Sequence, residues 1–161
     1  MIRFSNLEAS ALDLRATWAS SEPFECVVID ELCEPKSLRA AVATIDNRVA
    51  TSRRSSDYVF AREKYEHPGF GDSSAELAAL REDLLSERFS KLLQSITGLD
   101  VFVDPDFHGG GMHSGGRGSF LDMHADFNTH PQHPDWVREL NILLYLNESW
   151  LPGFGGELLL R

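Results

Sequence analysis

The apolar residues of this chain recur at one spacing before Gly98 and at another after it. A chain that changes period once in this way builds helices first and a sheet second. Leu77, Leu80, Leu84, Phe89, Leu92, Leu93 and Ile96 repeat mostly every three or four residues, the interval that returns a side chain to one face of a helix. Ser73-Ser74-Ala75-Glu76 precedes the stripe in the form of a capping box, so a helical region is predicted from there to Gly98. Such a stripe is core packing rather than a binding groove. Beyond Gly98 the alternation is two. Asp100–Asp104, Ser119–Asp126, Glu139–Asn147 and Gly156–Arg161 read as short strands between turns that contain Gly or Pro.

Upstream, the apolar run Pro23–Asp30 reads as a strand. A helix follows from Pro35, with Leu38, Ala41, Val42 and Ile45 on one face. Asn47 to Gly71 dissolves into polar residues and reads as a long surface excursion. It carries Arg48, Arg53, Arg54, Arg62 and Lys64, a basic stretch that is either solvated or in contact with substrate. Residues 1–22 show no firm pattern and are left as an unassigned arm. The expected organisation is α+β: one domain over 23–161, with helical support in 23–98 and a sheet in 99–161.

Composition narrows the partners. The chain has 161 residues, ample for one core, and its 25 acidic against 15 basic residues give a net charge of −10, which repels a phosphate backbone. Nucleic acid is therefore not expected as a partner. Nor is a membrane, since no apolar run is long enough to span one and the N-terminus does not resemble a signal peptide. Cys26 and Cys33 are too few for a disulfide scaffold. The expected compartment is the cytoplasm.

Five of the six histidines (His108, His113, His124, His130 and His133) fall within 108–133, and six of the twelve glycines within 109–118. On a strand, His124 and Asp126 would share a face and present an imidazole beside a carboxylate, a pair that suits one metal ion. A His-x-Asp pair alone is equally compatible with an exposed surface strand. A third ligand must come from elsewhere.

The motifs around that pair resemble the iron(II)- and 2-oxoglutarate-dependent oxygenases, the prolyl-4-hydroxylase-like branch above all. They run in order: Gly109-Gly110-Gly111-Met112-His113, His124-Ala125-Asp126-Phe127-Asn128, Arg138-Glu139-Leu140-Asn141, Tyr145-Leu146-Asn147-Glu148-Ser149-Trp150 and Gly155-Gly156-Glu157-Leu158. The resemblance implies an α+β fold in which N-terminal helices pack on a double-stranded β-helix, or jelly roll. It implies a dioxygenase with Fe(II) and 2-oxoglutarate, and with ascorbate as an accessory reductant, that hydroxylates a C–H bond while decarboxylating 2-oxoglutarate to succinate. By the same resemblance His124 and Asp126 are iron ligands, Tyr145 donates to the distal carboxylate of 2-oxoglutarate, and His113 lies near the co-substrate. Asn141 would share a strand face with Tyr145 and line the same cavity; Arg138 is read as a structural or supporting residue.

The family places its last ligand, a second histidine, and its basic anchor for 2-oxoglutarate after the Gly-Gly-Glu-Leu motif. The expectation is thus a fragment whose jelly roll stops after about half its strands, with weak iron binding and little turnover. Its substrate would be a small molecule or a prolyl residue of a peptide, and its open sheet edge would favour a homo-oligomer. The alternative is a non-catalytic zinc-binding or protein-interaction module on a half jelly roll. In that reading His130 and His133, otherwise expected to be exposed on a Pro-rich loop, join His124 and Asp126 around zinc.

Overall fold

The computed structural model describes residues 1–45, 53–54 and 61–159. Arg48, in the basic stretch, and Leu160 and Arg161, at the end of the last expected strand, lie outside the described residues. The chain divides into two compact units: Met1–Ile45 with Gly69–Phe107, and the described parts of Asp46–Pro68 and His108–Arg161.

The first unit is helical: α1 (Phe4–Ala9), α2 (Ala11–Ser20), α3 (Pro35–Thr44), α4 (Ala75–Leu85) and α5 (Glu87–Thr97), with a 3-10 turn at Phe70–Ser73. In α5, Phe89, Leu92 and Ile96 are buried on one face. Gly98 ends it in the left-handed region at φ 80°, donating its N–H to the Gln94 carbonyl at 2.8 Å, a conformation in which glycine carries no Cβ penalty. The region predicted as one helical stretch is two helices. Ser86 is extended and caps α5 by accepting the Phe89 N–H at 3.2 Å; it replaces the backbone acceptor that a continuous helix would need. At the front of α4 the cap is Ser74, which accepts the Leu77 N–H at 3.2 Å.

The unassigned arm forms α1 and α2. Its start is held by Asp83, whose carboxylate takes the Met1 ammonium and, at 2.7 Å, the Ile2 N–H. Arg3 donates its N–H to Leu32 and Glu34 donates to Met1, so a short bridge forms between Ile2 and Cys33. That pairing falls just past the strand expected at Pro23–Asp30. Pro23–Asp30 itself is irregular, with Val28 83% exposed, because no strand faces it among the described residues. Asp100–Asp104 is likewise irregular and runs into a turn, where Asp104 accepts the N–H of Asp106 on its side chain and that of Phe107 on its carbonyl. The α3 helix begins as expected, with Pro35 in its first turn.

The second unit carries an antiparallel sheet of order β1–β2–β3, from Arg53–Arg54, Ala61–His67 and Met112–Leu121. The expected surface excursion therefore contains two strands. In β2, Ala-Arg-Glu-Lys-Tyr-Glu-His hides the period-two signal because charged residues occupy both faces. Its register runs from Ala61 opposite Leu121 to His67 opposite Met112, with a shift between Arg62 and Lys64. The strand expected at Ser119–Asp126 forms only over its first three residues, as the end of a strand that begins at Met112. Gly115, Gly116 and Gly118, which read as turn residues, lie within β3, while Gly111, just before it at φ 97°, approaches the residue after β2 so closely that a Cβ there would lie 2.6 Å from Pro68 Cα. Among the described residues, 139–147 and 156–159 form no strand. Helices in one unit and an antiparallel sheet in the other make the chain α+β.

Candidate metal-binding site

His124 and Asp126 follow β3 on backbone that forms no strand, and they still converge. His124 Nε2 lies 3.5 Å from Asp126 Oδ1, too long for a strong hydrogen bond. The other side of each group is fixed. His124 Nδ1 is 2.8 Å from the Asp122 carbonyl, which can only accept, so Nδ1 carries the proton and the neutral ring keeps its lone pair on Nε2. Asp126 Oδ2 accepts from Asn141 Nδ2 at 3.0 Å and from Arg138 Nη1 at 2.8 Å. These contacts leave Oδ1 as the oxygen that faces the imidazole.

The electrostatics agree with that division. The Asn141 amide, and then the charge of Arg138, hold the Asp126 carboxyl below the ordinary carboxylate range against the opposing effect of its partial burial. Two atoms bearing lone pairs thus face each other across 3.5 Å. A cation relieves that arrangement, either a proton on Nε2 or a metal ion. Imidazole and carboxylate bonds to zinc are about 2.0–2.2 Å long, so one small divalent ion reaches both atoms.

A short hairpin delivers Arg138. Thr129 bridges Val137, Arg138 donates its N–H to Asn128 at 2.8 Å, and His130 donates to Trp136 at 2.9 Å. The Arg138 guanidinium lies over the Phe127 ring at 4.5 Å, a cation–π contact that limits its movement. Gly109 makes room for that ring, since a Cβ there would sit 2.9 Å from Phe127 Cε1.

The loop histidines behave differently from the expectation of exposure. His130 is 5% exposed, and its Nδ1 accepts the N–H groups of Gln132 and His133. Its ring packs against His108, His133 and Trp136, with His133 stacked on Trp136 at 4.1 Å. These rings tie the hairpin together. Among the described residues, no group of three or more His, Cys, Asp or Glu side chains is placed to hold a metal ion, so the pair stands as two donors.

Of the remaining candidates, Asn141 is brought to the pair. His113, on β3, contacts the Gly110 carbonyl through Nε2 at 3.2 Å. Tyr145 is 62% exposed. Asn141, expected beside Tyr145, is engaged by Asp126 instead. The Asp122 carbonyl and Phe127 are the supporting groups that sequence reasoning missed. A backbone acceptor leaves no sequence signal, and an apolar neighbour of a ligand looks like any strand residue. Comparison with protein-family models, with curated proteins and with solved structures finds no match to this chain. No helix among the described residues is long and apolar enough to cross a membrane.

Proposed function

We propose that this chain carries the metal-binding part of an Fe(II)- and 2-oxoglutarate-dependent dioxygenase of the prolyl-hydroxylase type, built on a double-stranded β-helix to which β2 and β3 belong. The observation that carries the reading is the pairing of His124 Nε2 with Asp126 Oδ1, each turned toward the other by a partner on its far side. The order of the motifs from Gly109 to Leu158 supports it. Bound iron would supply the redox chemistry that couples decarboxylation of 2-oxoglutarate to C–H hydroxylation.

The chain's own residues bind and orient. His124 offers a neutral nitrogen and Asp126 a single charged oxygen, a donor set that suits a divalent first-row metal. Asp122 fixes the imidazole tautomer, while Arg138 and Asn141 hold the carboxylate. In this reading Tyr145 supplies a phenol donor to the co-substrate's distal carboxylate, and His113 lines its surroundings. Both side chains are exposed and so accessible to a co-substrate arriving from solvent. The substrate class is a prolyl residue of a peptide or a small molecule. Self-association through β3, at the sheet edge with Phe120 and Leu121 exposed, belongs to the same proposal.

The test uses the full chain, freed of metal and kept anaerobic. Fe(II) is added with and without 2-oxoglutarate, and binding is followed by calorimetry and by the visible absorption of the iron–2-oxoglutarate chelate. The expected result is Fe(II) binding that 2-oxoglutarate strengthens and that His124→Ala and Asp126→Asn abolish, with slow succinate formation in air. Stoichiometric zinc after purification, indifferent to 2-oxoglutarate, would favour the non-catalytic module. Failure of every divalent metal to bind would overturn both.

A further inference from the structure

The geometry points to Asn141 as a positioning residue that determines which oxygen of Asp126 a divalent cation meets. The inference rests on the reading of His124 and Asp126 as a metal-binding pair. A carboxylate has two equivalent oxygens, and rotation about its last bond exchanges them or presents both at once. Here Asn141 Nδ2 and Arg138 Nη1 converge on Oδ2, at 3.0 and 2.8 Å, so that oxygen is committed and Oδ1 alone is left toward His124. The carboxylate is thereby held as a one-oxygen ligand before any ion arrives. Groups that orient a ligand in this way commonly set metal affinity within about 10- to 100-fold.

The two donors act differently. Arg138 orients the carboxylate but also brings a positive charge that repels an incoming cation, so its removal has two opposed effects. Asn141 is neutral and only orients. It is also exposed, so its loss leaves no buried group unsatisfied and spares the core.

The experiment titrates the metal-free full chain with Co(II) by calorimetry, for wild type, Asn141→Leu, Asn141→Gln and His124→Ala. Asn141→Leu keeps a similar volume without a donor, and Asn141→Gln keeps an amide. Asn141→Leu is expected to weaken Co(II) binding about 10-fold or more, and Asn141→Gln to recover a large part of the loss, with both variants keeping a cooperative thermal transition. Wild-type affinity in Asn141→Leu, or equal losses in the Leu and Gln variants, would overturn the positioning role. Co(II) binding that is absent in wild type, or that survives His124→Ala, would instead overturn the metal-binding reading on which it rests.

Discussion

Arg138 and Asp126 form an ion pair of 2.8 Å in which only one carboxylate oxygen takes part. The same oxygen accepts from Asn141, and these interactions hold the carboxyl below its ordinary value of about 3.9. A group depressed on folding adds stability that is present above its unfolded value and is lost as pH falls through the folded one. In chelator, the thermal midpoint of wild type should therefore exceed that of Asp126→Asn at neutral pH. The gap should close as pH drops below about 4. A gap that widened on acidification would contradict the assignment.

Gly109 offers a test from the opposite side of the ion pair. An alanine there carries the strain of φ 68° and also meets Phe127, the ring beneath Arg138. Gly153 has a similar backbone, φ 91°, with nothing within 4 Å of its virtual Cβ. Gly153→Ala should cost about 1–2 kcal/mol in urea unfolding, and Gly109→Ala more than that. Only Gly109→Ala should also weaken Co(II) binding, by about 10-fold, because it displaces the group that holds Asp126.

Asp83 binds the Met1 ammonium together with the Ile2 N–H, both in part-buried contacts. Asp83→Ala leaves both without this acceptor, and stability should fall by about 1–2 kcal/mol. Acetylation of the amino terminus should produce part of the same loss by removing the charge. Denaturant midpoints of the three forms measure both.

The break between α4 and α5 gives a graded series. Ser86→Ala removes the side-chain acceptor of the Phe89 N–H and should cost about 1 kcal/mol. Phe89→Ala, in the middle of the first unit's core, should cost about 3–5 kcal/mol. Equilibrium unfolding of the two variants, with coincident fluorescence and circular dichroism transitions, checks the ordering.

These elements also mark how far sequence reasoning reaches. The stripe of Phe89, Leu92 and Ile96 is legible because burial on one helix face leaves a period that residue type alone reveals. Proline at the start of α3 is legible because its fixed φ suits that position. The β2 strand is not, since pairing is a backbone property and charged side chains on both faces erase the alternation. The β3 strand is obscured by Gly115, Gly116 and Gly118, which signal a turn where the backbone in fact pairs with β2. At the site, the two-residue spacing of His124 and Asp126 places them together even without a paired strand. The twelve-residue step from Asp126 to Arg138 leaves no such trace. A hairpin closed by stacked His133 and Trp136 makes that contact, and ring stacking has no sequence period.

The distribution of the core has a further consequence. The first unit holds the buried Phe89, Leu77 and Ile96, whereas the second, among its described residues, buries only Ala61 and His130. A unit with so little apolar interior derives its order from ladder hydrogen bonds, stacked rings and ion pairs, all of which open at modest cost. Amide protons around His124 should then exchange with solvent water well before those around Phe89. An ion captured by the histidine and carboxylate would slow that exchange, because its binding energy adds directly to the folding energy of the segment that holds it.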